Sequence, residues 1–391
     1  MTDPAQLAAQ LERNAVDALP AGGLEAKLKK VAEAGRPLRV KLGIDPTAPD
    51  IHLGHTVVLT KLREFQDAGH TVVLILGDYT ARVGDPSGRS KTRPELSPEE
   101  IDANAATFRE QAFKVLDADR VEVRRNSEWL DMSMMELFKL MRLPTVAQLL
   151  EREDFSNRYA EGTPIALLEL LYPLLQAYDS VAVEADVELG GTDQKFNLLL
   201  GRDIQTAHEQ APQVVLTMPI LPGTDGVRRM GKSLGNHIGV TEPPEEIFGK
   251  VMSIPDEVMD QYYDLLLTAE PDPALAPVQQ KRALARAIVT RFHSEDAAIA
   301  AEAHFDKLFK SHEVPDDIEE FDFPTGAGEV HLPGLMADAF GLSRSEARRL
   351  IEQGGVSLDG DAVSSTDLPA DQLDQKVLKV GKRRFKRLRA S

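Results

Sequence analysis

The stretch from residue 41 to residue 55, KLGIDPTAPDIHLGH, limits the possible folds of this chain more than any other. Apolar residues alternate with polar or small ones over residues 40–45, which is the period of a strand with two different faces. The apolar spacing becomes helical over residues 54–68, and Gly69 ends that helix. A buried strand is predicted at residues 71–76. Such a strand–helix–strand unit belongs to a parallel sheet, and its first crossover is a place where phosphate groups bind.

Two histidines around a glycine, His52-Leu-Gly-His55, stand at that crossover. Two imidazoles and a close-approach glycine suit a nucleoside triphosphate, although two ordinary surface or core histidines would give the same pattern. A second pattern, GVRRMGKSLG at residues 226–235, follows the apolar run 214–221 and alone would fit a solvated basic loop. Together the two patterns resemble the H-I-G-H and K-M-S-K-S signatures of class I aminoacyl-tRNA synthetases. The loop residues that carry this resemblance are Arg229, Lys232 and Ser233.

The composition indicates a globular protein of two or three domains, because 391 residues are many for one core. There are no cysteines, which excludes disulfides, thiolate metal sites and thiol catalysis. No apolar run reaches membrane-spanning length, and the first residues lack a basic region followed by an apolar one. A cytoplasmic location is therefore expected.

The net charge of −18 argues against a nucleic-acid partner until its distribution along the chain is considered. Residues 329–391 carry 11 Lys and Arg against 9 Asp and Glu, and no acidic residue follows Asp374. A polyanion can therefore dock on this segment despite the acidic remainder of the chain. A disordered basic end would have the same composition.

Strand and helix patterns alternate along the first 240 residues, which predicts an α/β fold with a Rossmann-like, doubly wound parallel sheet. Helical patterns occur at residues 7–34 with a break at 20–23, 97–116, 127–158, 165–178 and 193–207. Further strands are predicted at residues 121–124 and 181–189. The resemblance to class I synthetases then implies a catalytic domain at 1–240 with a connective insertion at about 92–165, an α-helical anticodon-binding region at 241–325, and a small α+β domain at 330–391.

The segment from residue 342 to residue 360 is predicted to form a helix that turns at Gly354-Gly355 into a hairpin around Asp359-Gly360. This arrangement resembles the small RNA-binding fold of the S-four type. The basic residues of this segment and of the tail that follows are RNA-binding candidates: Arg344, Arg348, Arg349, Lys382 and Arg384.

Three further patterns fall where a parallel sheet would place a ligand site. GDPSG at residues 84–88 follows the second strand and GGTDQ at 190–194 opens a helix, although a plain turn and a capped helix start would explain them equally. In YPLLQAYD at residues 172–179, three polar residues share one side of a leucine-rich helix, unless they form a solvated face. These three are Tyr172, Gln176 and Asp179.

With these patterns the chain is similar, over essentially its whole length, to bacterial tyrosyl-tRNA synthetases. The pair YPxxQAYD and GGTDQ is the most specific part of the resemblance. It implies that L-tyrosine is activated with ATP to tyrosyl-adenylate and then transferred to the terminal adenosine of tRNA(Tyr). It also implies Mg²⁺ bound with ATP and no dedicated protein metal site. The implied assembly is a homodimer with the region 127–158 near its interface.

The resemblance also implies roles for individual residues. Asp179 would accept from the phenol hydroxyl of tyrosine, and Gln194 would orient its carboxylate. The implied tyrosine contacts are Lys41, Asp85, Tyr172, Gln176, Asp179 and Gln194. The implied ATP contacts are Gly43, Asp45, His52, His55, Gly191, Asp193 and Lys232. The implied catalytic residues around the triphosphate are Thr47, His52, His55, Arg229, Lys232 and Ser233.

Three positions of this chain are informative within the resemblance. Arg229 and Gly231 replace the usual first lysine and first serine of the mobile loop, which makes Lys232 the stronger candidate for contact with pyrophosphate. Lys41 stands where some members of the family have tyrosine and others lysine. Strand alternation points Lys41 into the same crevice as Asp45, where its ammonium could reach the phenol oxygen.

Three other interpretations fit parts of the sequence. A nucleotidyltransferase shares H-x-G-H but would not need the helical region and the basic tail. A tryptophanyl-tRNA synthetase shares the sheet and both signatures, but the stripe with Gln176 and Asp179 argues against it. An inactive, synthetase-like RNA-binding protein is disfavoured by the intact signature residues. Tyrosine-dependent exchange of pyrophosphate into ATP separates all of these interpretations.

Overall fold

The computed structural model describes residues 3–47, 50–86, 96–309, 318–324, 328–381 and 384–390. The chain divides into two compact units, Met1–Ala298 and Ile299–Ser391. Within the described ranges, none of the helices is both long enough and apolar enough to cross a membrane.

A six-stranded sheet forms the centre of the first unit. Its strands are β1 (Asp17–Leu19), β2 (Arg39–Ile44), β3 (Thr71–Leu76), β4 (Val121–Arg125), β5 (Val187–Gly191) and β6 (Val214–Met218). The strand order is β1-β6-β5-β2-β3-β4, and every pair is parallel except β1 with β6. The chain adds β3 and β4 on one side of β2 and then β5 and β6 on the other. The predicted doubly wound sheet is confirmed, and the end of β2 is its switch point, where ligands bind in such folds.

Helices connect and follow these strands. The first eight are α1 (Pro4–Leu11), α2 (Gly23–Glu33), α3 (Leu53–Asp67), α4 (Thr80–Val83), α5 (Pro98–Ala112), α6 (Ser127–Leu130), α7 (Met134–Met141) and α8 (Val146–Leu149). The next seven are α9 (Glu153–Ala160), α10 (Leu167–Ala182), α11 (Lys195–Ala207), α12 (Pro244–Ser253), α13 (Met259–Tyr262), α14 (Pro277–Phe292) and α15 (Glu295–Phe309). The predicted helical character after residue 240 is confirmed, with a π-helical turn at Tyr263–Leu267.

Local sequence signals account for the elements around the switch point. β3 is buried along Val72–Leu76, as its continuous apolar run predicts for a strand covered on both faces. The capping box at the start of α5 also forms. The Ser97 hydroxyl accepts from the Glu100 N–H at 3.2 Å, and the Glu100 carboxylate accepts from the Ser97 N–H at 2.8 Å.

Two predicted boundaries are wrong. Residues 17–19 form a strand rather than part of a helix, because Asp17 and its neighbours pair with β6 in register with Thr217. The strand predicted at residues 181–189 begins only at Val187, since α10 continues to Ala182. This longer helix keeps Asp179 and Ser180 on a buried helical face, a tertiary effect that local apolar content does not reveal.

The second unit has its own core. A five-stranded sheet has the order β10-β9-β12-β13-β7, and β8 pairs with β11 in a separate ribbon. Its strands are β7 (Glu320–Phe323), β8 (Glu329–His331), β9 (Val356–Leu358), β10 (Asp361–Ala362), β11 (Asp367–Pro369), β12 (Val377–Val380) and β13 (Arg384–Ala390). Its helices are α16 (Leu332–Phe340), α17 (Arg344–Glu352) and α18 (Ala370–Leu373). The predicted helix and hairpin correspond to α17 and to β9 with β10, and β7 also joins this sheet by parallel pairing with β13.

Candidate active site

The candidate site lies at the carboxyl end of β2. A Cβ built on Gly43 would have no atom within 4 Å, so the backbone there is open to close approach by a ligand. Gly77, after β3, serves a different purpose. A Cβ at Gly77 would lie 2.2 Å from Oδ1 of Asp45, so glycine is needed for the Asp45 carboxylate to sit against this turn.

Two histidines cap the N-terminus of α3 with their rings. Nδ1 of His52 accepts from the Gly54 N–H at 3.2 Å, and Nδ1 of His55 accepts from the His52 N–H at 3.2 Å. The two rings stack, with centroids 3.9 Å apart. Because each Nδ1 accepts, a neutral ring must carry its proton on Nε2, where it can be donated in a hydrogen bond.

Both histidines are neutral at physiological pH. Burial, reinforced by the adjacent His55, lowers the pKa of His52 to about 2. Burial, reinforced by the charge of Lys232, lowers the pKa of His55 to about 4. The helix start therefore offers oriented N–H groups to an anion without carrying a charge of its own.

The positive charge beside these rings comes from Lys232, which contacts Asp50 although the two residues are 182 positions apart in the sequence. Its ammonium forms an ion pair with Asp50, two residues before His52. The hydrogen bond from Lys232 holds the pKa of Asp50 below its usual value. The two signature patterns predicted to act together thus meet at the start of α3.

The loop that carries Lys232 is held by Asn236. Oδ1 of Asn236 accepts from the Gly231 N–H at 2.9 Å, and Nδ2 donates to the Arg229 carbonyl at 3.1 Å and to Asp225 at 2.9 Å. The side chains of Arg229 and Ser233 are exposed. Burial raises the pKa of Asp193, and the charge of Arg229 nevertheless reaches this carboxyl and opposes the increase.

Tyr172 and Asp45 link α10 to the end of β2. The Tyr172 hydroxyl donates to Oδ2 of Asp45 at 2.9 Å, and the Thr80 hydroxyl donates to Oδ1 at 2.6 Å. Burial, followed by the charge of Asp45, raises the pKa of Tyr172 well above its ordinary value. Tyr172 is therefore a neutral donor that orients Asp45.

A chain of amides runs along one wall of the crevice. Nε2 of Gln194 donates to Asp85 at 3.1 Å, and Oε1 of Gln194 accepts from Asn197 at 3.0 Å. The same Asn197 amide donates to Oε1 of Gln176 at 2.9 Å. Burial, with the nearby charge of Asp85, raises the pKa of Asp193 beside this chain.

Asp179 lies at the buried end of the polar stripe on α10. Nε1 of Trp129 donates to Oδ1 at 2.8 Å, and Nδ2 of Asn126 reaches Oδ2 at 3.4 Å. Burial raises the pKa of Asp179 to about 7, although the charge of Lys41 and these two donors oppose the increase. A buried carboxyl of this kind gains from a further hydroxyl donor.

Lys41 is fully buried next to this carboxyl. Its ammonium donates to Ser180 Oγ at 2.8 Å and to the Gln176 carbonyl at 3.1 Å, and it pairs with Glu188 at 2.7 Å. These contacts use the three protons of the ammonium. Lys41 therefore acts on Asp179 through its charge, and the predicted contact with a phenol oxygen stays a prediction.

The structure brings most of the sequence-predicted residues of the first unit to one edge of the sheet. Tyr172 and Asp179 are buried and Gln176 is half-buried, so the stripe is not a solvated face. Thr47 is half-buried after β2, and a Cβ at Gly191 would lie 2.6 Å from Oδ1 of Asp193. Ser87 and Gly88 of the GDPSG turn lie outside the described residues.

The RNA-binding candidates belong to the second unit. Arg344, Arg348 and Arg349 are exposed on α17, and Arg384 is exposed at the start of β13. Lys382 lies outside the described residues. None of the four described arginines forms an ion pair with another described residue.

Sequence reasoning missed several polar residues that support the pocket. What they share is a polar atom within or next to a buried element, where no apolar period points to it. They are Asn126 after β4, Trp129, Ser180 on α10, Glu188 in β5 and Asn197 on α11.

Comparison with known proteins agrees with this arrangement. Residues 33–310 match the family described as tRNA synthetases class I (W and Y). The chain is 51% identical to a tyrosine–tRNA ligase of Moorella thermoacetica, over 97% of this chain and 94% of the relative. It is 49% identical to the tyrosine–tRNA ligase of Thermotoga maritima, over 97% of this chain and 96% of the relative.

Solved structures show the same fold. A C-terminally truncated mitochondrial tyrosyl-tRNA synthetase of Aspergillus nidulans matches with a TM-score of 0.64 and 22% identity, over 79% of this chain and 95% of that one. The tyrosyl-tRNA synthetase of Archaeoglobus fulgidus, solved with L-tyrosine, matches with a TM-score of 0.62 and 24% identity, over 77% and 99%. On the sequence matches, the chain belongs to the class I aminoacyl-tRNA synthetases, and within them to the tyrosine–tRNA ligase family.

Proposed function

We propose that this chain is a tyrosine–tRNA ligase that activates L-tyrosine with ATP and charges tRNA(Tyr) for translation. The observation that carries the proposal is the position of the buried stripe of α10, with Tyr172 and Asp179, in the same crevice as the histidine cap of α3. The stripe suits an amino acid with a phenol group. The cap suits the phosphates that activate that amino acid.

The amino-acid half of the site is proposed to contact both ends of tyrosine. We propose that Asp179 accepts from the phenol hydroxyl while the charge of Lys41 favours its ionised form. At the other end, Asp85, Tyr172 and Gln176 surround the ammonium, and Gln194 orients the carboxylate. Support comes from the hydrogen bond between Gln194 and Asp85, which ties these groups into one wall.

The phosphate half of the site stabilises the negative charge on the leaving pyrophosphate. In the proposed first step a carboxylate oxygen of tyrosine attacks the α-phosphorus of ATP in line, and the bond to the pyrophosphate oxygen breaks. No protein nucleophile or base is needed, so catalysis consists of positioning and charge stabilisation. Neutral Nε2–H groups of His52 and His55 and the ammonium of Lys232 would contact the leaving phosphates. Thr47, Arg229 and Ser233 lie on the loops beside them.

ATP is proposed to enter as its Mg²⁺ complex, with the adenylate resting on the glycine backbones of β2 and β5. Gly43, Gly191, Asp45 and Asp193 are the residues proposed to meet it, Asp193 at the ribose hydroxyls. Among the described residues, no group of three His, Asp or Glu side chains is arranged to hold a metal ion. We propose that the triphosphate supplies most of the ligands of the metal.

Transfer of tyrosine to tRNA is proposed to need the rest of the chain. We infer a catalytic domain at residues 1–240 with its insertion at about 92–165, a helical anticodon-binding domain at 241–325, and an S-four-type RNA-binding domain at 330–391. Exposed arginines on α17 that form no ion pair with another described residue suit contact with phosphates. The candidates are Arg344, Arg348, Arg349, Lys382 and Arg384.

We also propose that the chain works as a homodimer in the cytoplasm. Large apolar side chains are exposed in a continuous run of elements from α7 to the start of α10, and Leu167 is 82% exposed. The run contains Met134, Met135, Phe138, Met141, Val146, Tyr159, Leu167 and Leu168. Large apolar side chains exposed along one stretch of chain are typical of an interface, and we propose a second copy of this chain as the occupant because the resemblance to bacterial tyrosyl-tRNA synthetases implies a homodimer. Phe138→Glu should yield monomers in sedimentation, whereas unchanged dimers would contradict the proposed face.

The decisive test of function is exchange of labelled pyrophosphate into ATP. Exchange that requires L-tyrosine and is not supported by L-tryptophan would establish tyrosine activation. Charging of tRNA(Tyr) by the same preparation would establish the second step. Exchange without any amino acid would instead indicate a nucleotidyltransferase, and RNA binding without exchange would indicate an inactive relative.

A further inference from the structure

Asn197, on α11, links three side chains beside the proposed amino-acid pocket, and the proposed chemistry gives it no role. Its side chain is buried, and its single amide group contacts three other side chains. Nδ2 donates to Oε1 of Gln176 at 2.9 Å and to Oε1 of Gln194 at 3.0 Å. Oδ1 accepts from Nη1 of Arg152 at 3.2 Å.

The orientation of the Asn197 amide is fixed by Arg152. A guanidinium can only donate hydrogen bonds, so the atom of Asn197 that faces it must be the oxygen. Arg152 is itself held in place: it makes a bidentate pair with Asp154 at 2.7 and 2.8 Å, and it lies over the Phe155 ring. The NH₂ group of Asn197 must therefore face the two glutamines.

Asn197 in turn fixes the orientation of both glutamine amides. Each glutamine presents its oxygen to Asn197, so each NH₂ group points the other way. The NH₂ group of Gln194 meets Asp85 at 3.1 Å, and no described residue accepts a hydrogen bond from Nε2 of Gln176. Each glutamine oxygen keeps a second lone pair, and the NH₂ group of Gln194 keeps a second proton.

We propose that Asn197 is a positioning residue for the amino-acid pocket, locked by Arg152, that orients the amides of Gln176 and Gln194 toward the ammonium and carboxylate of the substrate. This inference rests on the proposed tyrosine site. In that site the remaining lone pair of Gln176 suits an ammonium. The remaining proton of Gln194 suits a carboxylate.

The test replaces the donor of Asn197 by an acceptor of the same shape. In Asn197→Asp the contact with Arg152 survives, but both glutamines must turn their NH₂ groups toward the new carboxylate. Gln194 would then present its oxygen to Asp85 and to the substrate carboxylate. We expect the KM for tyrosine in pyrophosphate exchange to rise by about 10- to 100-fold, the usual effect of mispairing buried polar groups. The KM for ATP should stay within about twofold, since the phosphate half is untouched.

Four companion measurements separate positioning from folding. Gln10→Glu makes the same amide-to-carboxylate change at an exposed position of α1 and should leave both KM values unchanged. Arg152→Gln, whose amide can donate or accept, should raise the tyrosine KM in the same direction but less. The double variant of Arg152→Gln with Asn197→Leu should have nearly the same tyrosine KM as Asn197→Leu alone, because Arg152 acts on the glutamines only through Asn197. Tyramine lacks the carboxylate and should lose less affinity than tyrosine in Asn197→Asp.

Either of two results would overturn the inference while leaving the proposed function intact. One is an unchanged tyrosine KM in Asn197→Asp. The other is an equal rise of the tyrosine and ATP values together with a lower melting temperature. If the wild-type chain showed no tyrosine-dependent exchange at all, the proposed function would fail instead.

Discussion

Lys41 and Glu188 form an ion pair that is enclosed by the protein, with their charged atoms 2.7 Å apart and side-chain exposures of 0% and 2%. Glu188 also accepts from Ser180 at 3.1 Å and from Gln213. The pair joins β2 to β5, where the two residues are register partners in the sheet, and the charges of both act on Asp179. This buried ion pair therefore links two strands of the sheet and also sets the charge near Asp179 in the proposed phenol site.

Replacing only one member of this pair should destabilise the protein. Lys41→Met leaves the Glu188 carboxylate buried without its cation, a change that typically costs about 3–5 kcal/mol of unfolding free energy. Chemical denaturation should show this loss. The double variant Lys41→Met with Glu188→Met removes both charges and should recover most of the stability, yet it should still bind tyrosine poorly because Asp179 has lost its neighbouring cation. Full recovery of tyrosine binding would mean that Lys41 serves the fold alone.

Asp179 should decide between tyrosine and phenylalanine. Asp179→Ala removes a partner that only the tyrosine hydroxyl uses, so the kcat/KM ratio for the two amino acids in pyrophosphate exchange should fall by about 10- to 100-fold. Lys41→Met should shift the ratio in the same direction but less, since the carboxylate remains. If both substrates lost activity equally in Asp179→Ala, the hydroxyl would be recognised elsewhere.

Tyrosine binding should weaken as the pH falls below neutrality. The hydroxyl donates best to an ionised Asp179, whose pKa burial raises to about 7 in the free protein. Below that pKa the carboxyl must lose its proton on binding, so affinity should be about 30-fold lower near pH 5.5 than near pH 8. Equilibrium binding of tyrosine measures this directly. Phenylalanine, and tyrosine with Asp179→Asn, should show a nearly flat profile.

The same ionisation has an opposite effect on the fold. The native pKa lies above the ordinary carboxyl value of 3.8, so the folded chain holds this proton where the unfolded chain has released it. The contribution of Asp179 to stability is therefore largest at low pH and declines as the pH rises from about 4 to about 7. Urea denaturation of Asp179→Asn should lack this decline. An identical pH profile in both proteins would show that Asp179 keeps an ordinary pKa.

The sequence predicted the parts of the site that local patterns encode. A strand of period two, a buried strand and a helix start place Gly43, His52 and His55 at one sheet edge, because parallel strands and right-handed crossovers leave little choice of topology. Glycine-flanked motifs indicated Asp85, Lys232 and Gln194 in the same way. Each such motif interrupts a regular period and is visible from sequence alone.

The remaining contacts depend on tertiary packing that no local pattern records. Trp129 and Asn126 become partners of Asp179 only because α6 and the residue before it pack against α10. The continuation of α10 to Ala182 also follows from packing, since Ser180 is needed by Lys41 in β2. Arg152 and Asn197 are 45 residues apart, and nothing in either neighbourhood indicates their contact.

The histidine cap and Lys232 should act on the transition state rather than on tyrosine binding. Replacing His52, His55 or Lys232 by alanine should each slow tyrosyl-adenylate formation by about 10²–10³, the usual effect of removing one preorganised group that stabilises developing charge. Pre-steady-state measurements should show nearly unchanged tyrosine affinity. Because both imidazoles are already neutral, with pKa values of about 2 and about 4, their contribution should not vary between about pH 6 and 9. Rates within a few-fold of wild type for all three variants would remove these residues from the phosphate site.

The exposed arginines of α17 should contribute to tRNA binding but not to tyrosine activation. Changing Arg344, Arg348 and Arg349 together to glutamine in the full-length chain removes three exposed cations that form no ion pair with another described residue. Aminoacylation at low tRNA concentration should fall, and the slope of log affinity against log salt should become shallower by about 0.7–0.9 for each phosphate that the variant no longer neutralises. Pyrophosphate exchange should be unaffected. Arg389→Gln is a matched control, because Arg389 on β13 is already paired with Glu320. An equal effect of this control, or an unchanged salt slope in the triple variant, would show that α17 does not face the RNA.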